Sequence, residues 1–408
     1  VTGRIALGLA VAVAGSLLAA PLVVALGLAI ALVDAIRLPW RRRGLDDVEY
    51  SRRLSTDRAV VGDEIALDVS VWNRKRLPLA WLRAEDAASV GLEVRERELT
   101  SVEGVGRALV NAWTLAPYER VVRHFHLVAA RRGVHQLGPV RLAVGDLLAG
   151  QAGEAARPSV DRIVVRPRIV PVAGLEPAAR WGGLDRARRG LLEQPLAYAG
   201  VRDYQPGDPL RRIHQRASAR LGRPVVKRFD PAREREVLVA LDIQTVEGPA
   251  WMPVADDDRV EELCVVVASV ARRLRADGAA VGLAVAGYAG TVRPVAILPP
   301  AASAGQVPRI LDLLARLAPY PSASFDRLLG TLPRVLAPGA EILLVSARDP
   351  APFLAAARRL GAMGYGVTLL AIGPGADGAA DRARAARIAA RVGRLDGTWA
   401  DARGLAVA

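Results

Sequence analysis

Eight cations, Arg202, Arg211, Arg212, Arg216, Arg220, Arg223, Lys227 and Arg228, crowd the stretch from Val201 to Asp230 around Tyr204, Pro206, Gly207 and Asp208. Guanidinium forks pair bidentately with carboxylates and phosphates. The run therefore reads either as an internal clamp on Asp203, Asp208, Asp230, Glu234 and Glu236 or as a docking surface. Phosphate neutralisation along 202–228 would make it a nucleic-acid contact, but only Tyr204 and Phe229 stand close by to stack on bases.

Other chemistry is thinly supplied. His124 and His126 flank Phe125, so strand alternation puts both imidazoles on one face, with His135 near in sequence. Two histidines can begin a metal site, yet no carboxylate or thiol is placed to complete it, and solvated or cross-strand histidines are expected. The single cysteine, Cys264, excludes an intramolecular disulfide and a Cys-rich zinc site. It lies in an apolar helical pattern and reads as packing. His214 among the arginines and Asp242 at a strand end are the residues an enzyme would use. No nucleophile elbow, triad spacing, Walker-type Gly-Lys-Ser or G-x-G-x-x-G loop accompanies them, so no catalysis and no cofactor are expected.

The elements that must position these residues follow from hydrophobic rhythm. At the basic run, Gly207 beside Pro206 suits a tight turn, and Asp208 can cap a helix over 209–220 with Pro209 in its first position. Arg212, Arg216 and Arg220 then share one face, and "PVVKRFDP" follows as a strand. Before the run, from about Glu49 to Arg168, apolar and polar residues alternate, as at Ile65, Leu67, Val69 and Val71. Many short strands of this kind, including "GLEVRERELT" and "ERVVRHFHLVAA", imply a β-sandwich-like module. From Glu236 onward, nearly continuous apolar strands alternate with amphipathic helices, the last helix expected over "GAADRARAARIAARVG". That pattern implies a mostly parallel, Rossmann-like sheet covered on both faces, with "TVRPVAILP" as an antiparallel neighbour. Function in such folds lies at the carboxyl ends of the strands, here Leu241-Asp242-Ile243-Gln244, Val345-Ser346-Ala347-Arg348 and Ile372-Gly373-Pro374.

The N-terminal end has a different character. From Ile5 to Ile36 the only charge is Asp34, and Pro21 sits near the middle. About 32 residues are long for one spanning helix and short for two ordinary ones. Arg4 on one flank and Arg37, Arg41, Arg42 and Arg43 on the other favour a hairpin with both ends, and the rest of the chain, in the cytoplasm. A single tilted helix and a buried hairpin are the alternatives. Leu38-Pro39-Trp40 reads as the interfacial exit. The charge of +14, from 56 basic against 42 acidic residues, permits nucleic acid, anionic lipid or an acidic protein as partner. At 408 residues the chain should hold more than one domain.

"VRDYQPGDPLRRIHQRASARLGRPVVKRFDPARERE" closely resembles the signature of the domain-of-unknown-function 58 family, an Arg-x-Tyr-x-Pro-Gly-Asp-x-x-Arg-x-Ile motif before a Ser-Ala-Arg segment and a von Willebrand A-like domain. Arg202, Tyr204, Pro206, Gly207, Asp208, Arg211, Ile213, Ser218, Ala219, Arg220 and Lys227 match as they stand, and Arg216 lies among them. The resemblance extends upstream through "RRGVHQLGP", "GDLLAG" and "VVRPRIVPV". Two departures stand out: His214 and Gln215 replace the usual Asp-Trp, and the metal-binding Asp-x-Ser-x-Ser of von Willebrand A domains reads Asp242-Ile243-Gln244-Thr245-Val246. Asp242 and Gln244 are thus a degenerate metal position, with Ser324, Asp326 and Asp349 as loose further candidates, and no metal is expected.

The resemblance implies a transmembrane hairpin over 1–43, a β-sandwich-like module over 44–170, the signature segment over 171–235 and a von Willebrand A-like α/β domain over 236–408. The function it implies is a membrane-anchored, non-enzymatic scaffold or adaptor facing the cytoplasm. Such a protein would work with a MoxR-type AAA+ ATPase in assembling or regulating envelope complexes. The alternatives are a nucleic-acid-binding protein using the basic run and a metal-dependent adhesion-type protein.

Overall fold

The computed structural model describes residues 2–148, 150–175, 198–205, 208, 210, 213–229, 235–246, 255–290 and 294–408. The chain forms two compact units, Val1–Pro167 and Arg168–Ala408.

The first unit opens with two apolar helices, α1 (Thr2–Leu17) and α2 (Pro21–Arg43). Ala19 takes a left-handed φ of 51° between them, and Pro21 starts α2 where a missing N–H loses no intrahelical bond. Their backbones nearly touch through small residues: a Cβ on Gly27 would stand 2.4 Å from the Ala12 nitrogen, and one on Gly8 2.7 Å from that of Ala31. α2 is long and apolar enough to cross a membrane. Asp34, the charge inside the apolar run, lies 3.6 Å from Arg41. The expected exit at Leu38-Pro39-Trp40 does not end the helix, which continues through Pro39 to Arg43. Trp40 holds this last turn, its Nε1–H donating to the Pro78 carbonyl at 2.8 Å and its own carbonyl accepting from Gly44 N at 2.8 Å.

Two antiparallel-rich sheets follow. One runs β1 (Val48–Leu54), β3 (Glu64–Asn73), β8 (Arg120–Ala129), β5 (Leu92–Val94). The other runs β2 (Arg58–Val60), β11 (Asp161–Arg166), β9 (Gly133–Gly145), β4 (Leu79–Ala88), β7 (Gly106–Leu115), β6 (Thr100–Val102), with β10 (Gln151–Arg157) also paired to β9. The alternation on β3 buries Ile65, Leu67, Val69 and Val71 completely. The sheets face one another, since Tyr50 of β1 meets Trp113 of β7 edge to face at 6.4 Å and Arg123 of β8 lies over the same ring at 4.8 Å. "GLEVRERELT" is not one strand. It splits into β5 and β6, which join different sheets.

Between the sheets sits a polar knot. Asp86 is fully buried and accepts from the Tyr50 hydroxyl and from Arg52 Nη1 at 2.7 Å. Arg52 also reaches Asp161 at 2.9 Å and the Ser159 carbonyl at 2.7 Å. Burial raises the Asp86 pKa despite the opposing charge of Arg52.

The second unit centres on an eight-stranded sheet ordered β12 (Val172–Ala173), β23 (Leu405–Val407), β22 (Ala389–Leu395), β21 (Gly366–Ile372), β20 (Glu341–Ser346), β15 (Glu236–Leu241), β16 (Ala280–Val285), β18 (Ala296–Ala301). β15, β16, β20, β21 and β22 are parallel, and β18 is antiparallel to β16, as expected of "TVRPVAILP". Continuous apolar strands are explained by burial on both faces. Val237, Val239 and Leu241 join one core with α4 (Asp257–Ala276) and α5 (Gln306–Arg316). Leu238 and Ala240 join another with α6 (Phe325–Thr331), α7 (Ala351–Ala362) and α8 (Ala376–Ala385). The long helix expected over "GAADRARAARIAARVG" is corrected: α8 stops at Ala385, Arg387 takes a φ of 62°, and β22 begins at Ala389 against Thr368.

Candidate functional site

The signature segment builds a hairpin of its own. β13 (Tyr198–Asp203) pairs antiparallel with β14 (Val225–Phe229), setting Asp203 opposite Val225 and Arg202 opposite Val226. Tyr204 is half-buried, and its N–H donates to the Pro224 carbonyl at 3.0 Å. Between the strands lies α3 (Gln215–Leu221).

The expected helix over 209–220 capped by Asp208 is corrected here. Asp208 instead closes a turn, accepting from Gln205 N at 2.9 Å. The backbone at Ile213 and His214 is committed to β14, through a bridge from Ile213 to Val226 and a bond from His214 N to the Val225 carbonyl at 2.8 Å. The described α-helix begins only after that, Pro209, Arg211 and Arg212 lying outside the described residues. His214 Nδ1 accepts from Ala217 N at 3.2 Å and so caps α3, as an aspartate side chain does at many helix N-termini. Ser218 Oγ, half-buried, accepts from Val225 N at 3.0 Å, tying the helix to the strand.

Arg216 and Arg220 are exposed on α3. Arg223 pairs with Asp203 at 3.0 Å where both are exposed, a bridge of small worth in water. These described cations form a solvent-facing patch. Pro206, Gly207, Pro209, Arg211, Arg212, Asp230 and Glu234, and the side chains of Arg202, Lys227 and Arg228, lie outside the described residues.

The second assembly is at the carboxyl edge of the sheet, where β15 and β20 are neighbours and their connections leave in opposite directions. Asp242 follows β15, is 2% exposed, and bonds through its N–H to the Val345 carbonyl at 2.9 Å. Its Oδ2 accepts from Arg348 Nε at 2.8 Å and from Ser346 Oγ at 3.1 Å, and its Oδ1 from Gln244 N at 3.2 Å. Burial raises its pKa, while Arg348, Ser346 and the Gln244 amide pull the other way. The Arg348 guanidinium also lies 5.8 Å from the Phe353 ring centre. Sequence reading placed both Asp242 and Arg348 at functional strand ends but did not pair them.

Beside this pair a cleft of about 260 Å³ is lined by Thr245, Arg348, Asp349, Ile372, Gly375 and Arg382, with Arg382 Nε 3.1 Å from Asp349 Oδ1. A divalent cation needs several oxygens. Here a guanidinium already holds Asp242 Oδ2, Gln244 contributes a backbone N–H, Val246 is exposed, and Ser324 and Asp326 are exposed at the start of α6. The residues at this edge do not fit a metal, and among the described residues no group of three or more His, Cys, Asp or Glu could hold one.

The histidines of the sandwich are spoken for. His124 pairs with Asp68 and His126 with Glu96, each at 2.6 Å on exposed ground. His135 is buried, with Nε2 2.8 Å from the Arg131 carbonyl, and burial lowers its pKa. Cys264, on α4, is fully buried in the core.

Among solved structures, a CARDB domain of the PF1109 protein from Pyrococcus furiosus, in complex with di-metal ions, is 13% identical over 29% of this chain and 92% of that one, with a TM-score of 0.21. A cohesin module from a Clostridium perfringens family 33 glycoside hydrolase is 11% identical over 28% of this chain and 96% of that one, with a TM-score of 0.20. Likenesses this slight carry no argument. The "Uncharacterized protein YeaD" of Bacillus subtilis (strain 168) is 24% identical over 253 residues, 62% of this chain and 59% of that protein, so the match spans less than two thirds of the relative. Residues 200–372, which take in the signature hairpin, α3, the Asp242–Arg348 pair and the sheet through β21, match the family described as "Protein of unknown function DUF58".

Proposed function

We propose that the chain is a membrane-anchored adaptor without enzymatic activity, whose second unit is a von Willebrand A-like domain that binds protein. In this reading α1 and α2 form a hairpin anchor with the soluble units in the cytoplasm, and the partner is a MoxR-type AAA+ ATPase acting on envelope complexes. The strand order, running outward from β15 through β16 to the antiparallel edge strand β18 on one side and through β20, β21 and β22 on the other, supports the domain assignment.

The observation that carries the reading is the Asp242–Arg348 pair. It fills with an ion pair the place where an α/β enzyme would hold a cofactor or a metal-dependent adhesion domain its cation, which favours contact over chemistry there. The exposed cations of α3 supply a second feature of a docking surface, steering acidic partners at long range.

The test is affinity capture from solubilised native membranes, with the intact chain and an Arg216→Glu, Arg220→Glu variant compared. Recovery of an AAA+ ATPase by the intact chain and its loss from a folded variant is the expected result. Recovery of no such ATPase by either removes the adaptor reading. Retention by both moves the contact away from α3.

A further inference from the structure

Gly145, Asp146 and Gly150 take no part in the strand-edge site, yet each is tightly specified. Gly145 lies opposite Trp81 in the β4–β9 register, and a Cβ there would stand 1.8 Å from the indole, so the ring lies against bare backbone. A Cβ on Gly150 would stand 1.5 Å from Arg37 Nη2. Asp146, buried between them, accepts from Leu148 N at 2.9 Å and Gly150 N at 3.0 Å through Oδ1, and from Arg37 Nε at 2.5 Å through Oδ2. Burial alone would raise its pKa, but the Arg37 bond and the two amides outweigh it and hold the carboxyl below its usual range.

What this construction displays is a pair of leucines. Leu147 is 59% exposed and Leu148 50% exposed, adjacent apolar side chains on a turn clamped to α2. The position of the clamp says what covers them. Arg37 immediately follows Ile36, the end of the apolar run, and lies about 9 Å along the axis before Arg43. The turn is therefore level with the place where apolar helix gives way to the basic Arg41, Arg42 and Arg43.

The same end of the sandwich gathers further interfacial residues. Trp81 is half-exposed beside Gly145. Exposed Tyr118 bonds through its N–H to the Lys75 carbonyl, and Lys75 Nζ in turn reaches the carbonyls of Gly44 and Asp46 just beyond α2. Trp and Tyr favour the headgroup level.

We propose that the turn at Gly145–Leu148 is a second membrane contact, with Leu147 and Leu148 entering the boundary between headgroups and acyl chains of a phospholipid bilayer beside α2. The sandwich is then held to the bilayer at two points, the helix and the turn, joined by the Arg37–Asp146 ion pair. This inference rests on the reading that α2 spans the membrane.

The experiment uses the full chain with Cys264→Ala and one new cysteine at a time, Leu148→Cys on the turn, Leu26→Cys on α2 and Val90→Cys at the opposite end of the sandwich. Each is labelled with an environment-sensitive fluorophore and reconstituted into phosphatidylcholine–phosphatidylglycerol vesicles, with and without lipid carrying a nitroxide near the top of its acyl chain. Blue-shifted emission and nitroxide quenching at 148 and 26, with neither at 90, is the expected outcome. Quenching at 26 but not at 148 overturns the second contact while leaving the anchor intact. Absence of quenching at both overturns the anchor and the contact together, and equal quenching at all three positions overturns the placement of the turn.

Discussion

The Asp242–Arg348 pair sets the terms of the second unit's edge, because each charge is tolerable there only beside the other. Arg348→Met leaves a buried carboxylate without its cation and is expected to cost about 3–5 kcal/mol, read as a lowered urea midpoint. The pH dependence has a definite sign. A carboxyl whose folded pKa is raised, as burial raises that of Asp242, binds its proton more tightly when folded. Its contribution is fully present below the unfolded value of about 4 and is lost as pH rises through the folded value. Without Arg348 the folded value climbs further, so the deficit should be largest at neutral pH and shrink on acidification. Adding Asp242→Asn to Arg348→Met should recover part of the loss, and a double variant weaker than Arg348→Met alone would contradict the pairing. At α3, His214→Ala should cost about 1 kcal/mol through the lost cap while His214→Asp should not, which hydrogen exchange at the Ala217 amide can read.

At the scale of elements, legibility followed periodicity. β3 was plain because Ile65, Leu67, Val69 and Val71 alternate, and β15, β20 and β21 because strands covered on both faces need no polar positions. β22 was not, since "AARIAARVG" is composed of helix formers and becomes strand only through its pairing with β21 and β23. The start of α3 was hidden for a related reason: Ile213 and His214 are claimed by β14, and that claim comes from residues on the far side of the hairpin. Of the candidate site, Asp242 and Arg348 were each readable from a strand end, but their pairing across 106 positions comes only from the adjacency of β15 and β20. Packing between α1 and α2 was also invisible in composition, though it makes a clear prediction. Gly27→Leu must push Ala12 and its backbone aside, whereas Gly3 has open space around it. Gly27→Leu should lower the melting temperature in detergent and Gly3→Leu should leave it unchanged.

Across the whole molecule, the two units solve different problems. Val1–Pro167 carries the apolar helices together with a sandwich whose knot at Asp86, Arg52 and Tyr50 is closed within it. Arg168–Ala408 has two apolar cores of its own, one on each face of a sheet whose edge strands are β12 and β18. A unit with its own core can fold alone. A fragment spanning 168–408 should therefore be soluble without detergent and unfold in one cooperative transition near that of the same unit in the full chain. A fragment spanning 1–167 should need detergent, because α2 exposes Leu22, Leu26 and Leu32 to whatever surrounds it. Calorimetry of the two fragments beside the intact chain decides the matter. Two transitions in the intact chain, matched one to one by the fragments, would mean that the helix-bearing unit and the second unit are separable. Loss of cooperativity in the 168–408 fragment would mean that the second unit depends on the first, and the two would then have to act as one body.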